Sequence, residues 1–480
     1  MRMLPLVLGI LVSSSSFADS DYDRWLKQTR TEYSQYREAT DREFGDFLKE
    51  SWQAVGMEVP RELDRTPKPR SVPDAPISAS EPITSTPTVV IAPLPQATEP
   101  VLDTIPDEPQ ETVLAETALV RVDFFGHTLN FAVPTNLNDG YHGSPTGKGI
   151  AAWWNKRAEV PYKDLANQIK TEARQLQLND WGTVLLIQHL ATAIHNDYNS
   201  QALLSWYLAV RCGFDARVAY NQNIYLLLAS EQPLYGITYL TVNKRAYYAL
   251  GYAADGRYDP PRGRLFTYER QHENGKQALD FSNSERFVAA GRTEMRNLDF
   301  SFNGSSHSIQ LRIHQQAAAY LNLYPQLDLS YYIEAGLPMD LGRDLLNQLK
   351  PLVAGKSELE AVNLLLRFTQ TAFAYETDEQ QFGRENYLFP LETLYFRASD
   401  CEDRTILFSW LVKNLLQLDV ALVTWPGHVA AAVAFHGNVD GQGWTVGGKR
   451  YVIADPTYIN ANAGYSMPQF ATAKPAVQPI

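Results

Sequence analysis

Cys401, His428 and Asp455 are the residues of this 480-residue chain whose types and order suit chemistry. Cys401 lies in Ser399-Asp400-Cys401-Glu402-Asp403-Arg404, just ahead of an apolar helical stretch, Thr405 to Leu416. A thiol at a helix N-terminus sits in the positive end of the helix dipole, which favours the thiolate that attacks carbonyls. His428 follows in Trp425-Pro426-Gly427-His428-Val429, and Asp455 in Ala454-Asp455-Pro456-Thr457. In that order they can serve as nucleophile, base and orienter. Singly, each has a plain structural role: a packed cysteine, a satisfied histidine, an Asp-Pro-Thr turn. Their conjunction predicts attack of a thiolate–imidazolium pair on an amide carbonyl. The Cys401 backbone N–H would be one oxyanion donor, with Gln380, Gln381 and Tyr395 as candidates for the second.

The elements that must position these groups can be read around them. Ser357 and Glu360 form a capping-box pattern ahead of an apolar run ending near Ala374. A loop, Tyr375–Phe389, and Pro390-Leu391-Glu392-Thr393-Leu394 lead to the cysteine helix, which Asp400 or Ser399 can cap. Val420–Val423 and His428–Phe435 read as strands, Gly441 and Gly443 mark a turn, and Tyr451–Ala454 is a strand ending at Asp455. If the last two strands pair, His428 and Asp455 meet at the sheet rim.

An earlier stretch looks like a copy of this one. Aligning Asp197–Ala219 with Cys401–Val423 without gaps matches Leu203/Leu407, Ser205/Ser409, Trp206/Trp410 and Asp215/Asp419. Leu185-Leu186-Ile187 resembles Leu364-Leu365-Leu366, and Tyr258-Asp259-Pro260 resembles Ala454-Asp455-Pro456. Each unit follows a hairpin pattern, Val120–Val133 and Leu298–Ile313. In the first copy Asp197 stands for Cys401, the His428 position falls near Ile224, and the segment Tyr375–Ala398 is missing. That copy is expected to be catalytically dead. The expected organisation is a signal peptide (1–18), a charged aromatic-striped helix (19–57), a Pro-rich linker (58–115), a degenerate unit (116–290) and a catalytic unit (291–480).

In the first of these, Arg2, an apolar Leu4–Val12 and Ser16-Phe17-Ala18 form the signal pattern, which predicts a periplasmic or secreted protein without a transmembrane segment after cleavage. The helix repeats every eleven residues, with Tyr22, Tyr33 and Phe44 in one row and Trp25, Tyr36 and Phe47 in another. It could self-associate, dock a partner or lie on its own chain. The linker, rich in Pro, Ser and Thr, reads as an extended and fairly stiff tether. A net charge of −12 with no strongly basic stretch argues against a nucleic-acid partner. Two cysteines make no disulfide framework; Cys212 reads as a small buried hydrophobe, and a Cys212–Cys401 bridge is the alternative.

The motifs Phe389-Pro390-x-Glu392-Thr393-Leu394, Asp400-Cys401-Glu402-Asp403, Pro426-Gly427-His428-Val429 and Asp455-Pro456-Thr457 resemble the bacterial transglutaminase-like superfamily. The resemblance covers Ser357 to Gln469, about a quarter of the chain. It implies an α+β, papain-like fold, here duplicated, with Cys401 as nucleophile, His428 as base and Asp455 as orienter. The Asp-Cys-Glu-Asp form is especially similar to transglutaminase-like cysteine peptidases. In the periplasmic proteinases of that group that control adhesin release, the acidic residues flanking the cysteine bind calcium. Asp400 and Glu402 occupy those positions; a helix cap and a first-turn acid are their plain structural roles. The degenerate copy, the tether and the aromatic helix depart from the family pattern. No cofactor is required, with calcium the one the resemblance allows. The expected function is a thiol-dependent amide hydrolase acting on a peptide or protein in the cell envelope. A protein-glutamine transglutaminase with an amine acceptor and a non-catalytic binding scaffold are the alternatives.

Overall fold

The computed structural model is mixed helix and sheet and describes residues 24, 25, 28, 36, 38–63, 68, 71–75, 87–89, 91, 116–158, 160–250 and 261–480. The signal segment, Tyr22, Tyr33, most of the linker and Tyr258-Asp259-Pro260 lie outside the described residues. No helix among those described is long and apolar enough to cross a membrane.

In residues 116–290 a hairpin, Thr117–Phe124 with His127–Pro134, precedes two helices, Asp180–Ile194 and Tyr198–Cys212. An antiparallel sheet follows, and its edge strand, Gln53–Gly56, comes from the stretch 19–57 expected to be helical; the order is Gln53–Gly56, Arg264–Thr267, Ala216–Tyr220, Ile224–Ala229, Arg245–Tyr248, Tyr239–Val242. In residues 291–480 a hairpin, Thr293–Phe302 with Ser305–His314, precedes helices Glu358–Thr371 and Cys401–Leu411. The second antiparallel sheet runs Ala476–Pro479, Asp419–Trp425, His428–Ala434, Lys449–Ala454, Gly443–Val446. Ile224, Tyr239 and Arg245 open strands 204 residues before His428, Gly443 and Lys449 open theirs. Gly213 and Gln417, also 204 apart, both leave their helices in the left-handed region, with φ of +110° and +55°. Such a residue satisfies the last helical carbonyls, easily for glycine and at a steric cost for glutamine. An Asp215–Arg245 ion pair in the first sheet is matched by Asp419–Lys449 in the second.

Cys401–Leu411 is buried on all sides, and its polar residues Glu402, Asp403, Arg404 and Thr405 are therefore held by partners inside the protein. It lies between the sheet and other helices: Thr405 Oγ1 donates to the Val429 carbonyl on the sheet side (3.2 Å), and Arg404 donates to the carbonyls of Gln370 (3.2 Å) and Phe373 (2.9 Å) on the other. The Ser357–Glu360 capping box forms, fixing the start of Glu358–Thr371.

The later part of the N-terminal helix, from Asp41 to Leu48, lies on its own chain, while Trp25 and Tyr36 are exposed. Phe44 is buried edge-on against Trp154, Tyr268 and His272, and Asp41 pairs with Arg211 at 2.8 Å. The described linker residues also touch the body, Glu58 beside Tyr239, Asp74 beside Ile459 and Thr88 beside Ser357. Both cysteines are free thiols, so the Cys212–Cys401 bridge is not formed. Burial pushes the Cys212 thiol up to about 12, as befits an inert packed side chain.

Candidate active site

His428 opens one strand and Asp455 follows the end of its neighbour, because Ala431 pairs with Ala454 in the sheet. Their side chains meet: His428 Nε2 and Asp455 Oδ2 are 2.8 Å apart, both buried. Asp455 is itself fixed, its Oδ1 accepting from the backbone of Thr457 (2.8 Å) and Tyr458 (3.2 Å). Burial alone would lower the imidazole pKa; the charge and hydrogen bond of Asp455 outweigh it, and His428 titrates above its usual value. With Nε2 held by the carboxylate, Nδ1 is the nitrogen left for proton exchange with a thiol. Phe470 stacks on the ring at 4.7 Å and holds its plane.

Cys401 stands at the first position of its helix. The Thr405–Val429 hydrogen bond, one turn on, presses that helix start against the strand His428 opens. The charges of Asp400 and Glu402 also reach His428. The structure therefore joins His428 and Asp455 directly and seats the first turn of the Cys401 helix on the strand that His428 opens.

The thiol itself departs from the expectation of a helix-stabilised thiolate. It is wholly buried, and its Sγ donates to Glu402 Oε2 at 2.8 Å. Burial, then the negative charges of Glu402 and Asp400, push the thiol well above its ordinary value; Lys68 opposes them. Neighbouring carboxylates here outweigh a helix end, whose effect is about 0.3–1 kcal/mol.

Lys68, from the Pro-rich segment, is the residue that sequence reasoning missed. Its Nζ lies 2.6 Å from Asp400 Oδ2, 2.8 Å from Glu385 Oε2, 3.0 Å from Glu402 Oε2 and 3.4 Å from Asp378 Oδ2. A lone lysine 332 residues from its partner carries no local signal in the sequence. Burial would lower its pKa, but the three buried carboxylates raise it, so the ammonium stays charged. Burial and like charge push Asp378 up to about 9 and Glu402 up to about 7.

Asp400 occupies the N-cap position in a capping-box arrangement with Asp403, and its Oδ2 also accepts from Lys68. Asp403 ties that end together, accepting from the Asp400 N–H (3.3 Å) and the Leu388 N–H (2.9 Å). Ligand atoms of Asp400, Cys401 and Glu402, and likewise of Asp378, Asp400 and Asp403, lie within 4.8 Å of one another, spacings that can hold a metal ion. Calcium, however, needs about six to eight oxygens at roughly 2.3–2.6 Å. With Lys68 in place its ammonium occupies Asp400 Oδ2 and Glu402 Oε2, so calcium would have to displace it to use those oxygens.

Of the expected oxyanion donors, Gln380 caps the short helix Asp378–Gln381 through Thr377, and Tyr395 faces Glu294 on the hairpin. Tyr375 is better placed. It pairs in register with Ser399, two residues before Cys401, and its buried phenol oxygen has no hydrogen-bond partner. Burial and then the charges of Cys401, Asp400 and Glu402 raise its pKa, and the Arg404 guanidinium lies 5.5 Å from its ring. Glu392, buried and pushed up to about 8, caps its own short helix through the Phe389 N–H.

No family model, curated protein or solved structure matches the chain. The geometry of the site therefore carries the functional argument.

Proposed function

We propose that the chain is an exported thiol-dependent amide hydrolase of the transglutaminase-like, papain-like kind, acting on a peptide or protein of the cell envelope. The buried His428–Asp455 pair, placed where the Cys401 helix begins, is the observation that carries this reading. His428 would take the thiol proton, and the thiolate would attack the amide carbon. The imidazolium would then return a proton to the leaving amine as the C–N bond breaks, and water would hydrolyse the thioester with His428 as base. Asp455 would orient the ring and stabilise its charged form.

The two units are, on this reading, copies of one ancestral fold. The repeated sheet order, the 204-residue spacing of strand starts and the two Asp–base ion pairs support it. In the first unit Asp197 caps its helix through the Ser200 N–H and Ile224 opens the strand that His428 opens in the second, so its role is support.

A transglutaminase reading gains from one observation: a primary ammonium, that of Lys68, already sits among the carboxylates flanking the thiol. An amine acceptor would resolve the same acyl-enzyme in place of water. The deciding experiment compares envelope proteins of wild-type and Cys401→Ala cells. New protein termini that depend on Cys401 support hydrolysis, and Cys401-dependent cross-links support transamidation. No difference between the strains, together with Cys401 labelling by a thiol probe that His428→Ala leaves unchanged, would falsify the enzyme reading in favour of a scaffold.

A further inference from the structure

We propose that the acidic pocket beside Cys401 is a primary-ammonium site, occupied in the resting chain by its own Lys68 and exchangeable for a lysine side chain or similar amine on a substrate. Four carboxylates from three separate stretches, Asp378, Glu385, Asp400 and Glu402, converge on one nitrogen. Three of them are buried, and grouping them costs solvation and mutual repulsion unless a cation lies between them. An ammonium has three donors and a compact charge, which suits several carboxylates arranged around a point. The cluster also holds more acceptor capacity than Lys68 uses. Asp400 Oδ1 is buried and unpartnered while Oδ2 binds the lysine. A ligand with a further donor would find it.

The occupant is held by its surroundings as well as by charge. Beyond Lys68 the same stretch is pinned on the Asp455 side of the site. Asp74 pairs with Ile459, the Ala75 N–H donates to the Ile459 carbonyl at 2.7 Å, and Val72 and Ala75 pack on the cluster of Tyr458 and Met467. The segment thus spans from the carboxylates flanking Cys401 to the residues just after Asp455. Tethered this way, Lys68 competes at an effective concentration of about the millimolar range. An external amine displaces it only when the rest of its molecule contributes contacts of its own, which selects an ammonium carried on a peptide or protein over a small free amine.

The pocket half of the proposal is independent of catalysis, and its substrate half rests on the amide-cleaving or amide-exchanging reading above. The experiment therefore reads binding. In the full chain, Lys68→Ala removes the ammonium, and thermal unfolding is followed with about 10 mM n-butylammonium, Nα-acetyl-lysine amide, calcium or sodium at equal ionic strength. Both amines are expected to raise the unfolding temperature of Lys68→Ala by about 2 °C or more over sodium, and to leave the wild type unmoved. Lys68→Met keeps the aliphatic stem and is read in the same way if the alanine variant is poorly soluble. If neither variant is soluble, butylammonium must raise the soluble yield on refolding. The proposal is overturned if the amines act no better than sodium, if calcium alone rescues the variant, or if refolding yield does not respond. A wild type without any Cys401-dependent turnover, alongside amine rescue of Lys68→Ala, would defeat the enzyme reading and leave the ammonium site standing.

Discussion

The Cys401 thiol donates to the Glu402 carboxylate at 2.8 Å, so the nucleophile and the group that most restrains its ionisation after burial are adjacent residues of one helical turn. Glu402 in turn shares the Lys68 ammonium with Asp400, and the three form one electrostatic unit. Replacing Glu402 by Gln keeps the size and removes the charge. The thiol pKa is expected to fall, giving more thiolate at a fixed pH below it. The pH dependence of Cys401 alkylation, read in a Cys212→Ala background, measures this directly. An unchanged or raised midpoint would show that Glu402 does not restrain the thiol.

The same residue predicts how stability varies with pH. Glu402 titrates at about 7 in the folded protein, above its ordinary carboxylate value, because of burial and the neighbouring Asp400. A group whose folded pKa is raised binds its proton more tightly in the native state. Its contribution is complete below the unfolded value, near about 4.3, and is lost as pH rises through about 7. His428, also raised, acts in the same sense. Unfolding temperature should therefore fall between pH 5 and 8 more steeply in the wild type than in Glu402→Gln. Parallel curves for the two proteins would contradict the assignment.

Much of the scaffold was legible because its signals are local. The capping box of Ser357 and Glu360, the strand His428–Ala434 and the strand ending before Asp455 follow from short patterns, and the structure contains each. The strand Gly443–Val446 was not legible. It begins in what reads as a turn, and the actual turn lies at Gly447 and Gly448, both at positive φ. Gly441 does need glycine: at φ +109° a Cβ would lie 2.4 Å from the Gly464 Cα. The charge state of the thiol was hidden for a different reason. It depends on burial and on Lys68, both of which arise from tertiary contacts, as well as on the neighbouring Glu402 and Asp400, whereas a helix start alone suggests a thiolate. Nothing local marks Tyr375, whose phenol gains meaning only from its pairing with Ser399.

Tyr375 gives a prediction with two readouts. A buried hydroxyl without a partner contributes nothing to folding, so Tyr375→Phe should leave stability equal or slightly raised. If the phenol donates to the oxyanion formed on attack by Cys401, the same variant loses transition-state binding. The expected loss is about 100-fold in kcat with KM little changed. Release of p-nitrophenol from p-nitrophenyl acetate by the full chain reports acylation, and urea unfolding reports stability. Equal losses in both would assign Tyr375 to packing instead.

Asp41 tests whether the N-terminal helix is an integral part of the first unit. Its carboxylate is buried between Arg211 at 2.8 Å and His272 at 3.0 Å, and the Arg211 guanidinium lies over the rings of Tyr162 (4.0 Å), Tyr207 (4.6 Å) and Trp154 (5.0 Å). Burial would raise the Asp41 pKa, but its hydrogen bond to His272 and the charge of Arg211 hold it below the usual carboxylate range. Asp41→Asn leaves a buried guanidinium without its anion, which costs about 3–5 kcal/mol. Replacing both partners, Asp41→Asn with Arg211→Met, removes the stranded charge and should recover much of that loss, although the rings lose their cation. Urea unfolding of the two single variants and the double variant gives the coupling between them. A single Asp41→Asn loss below about 0.5 kcal/mol, the range of ordinary surface changes, would mean that the helix merely rests on the surface. A loss of the expected size would place the helix in the same cooperative core as Trp154 and Trp206, which Phe44 already touches edge-on and at a tilt.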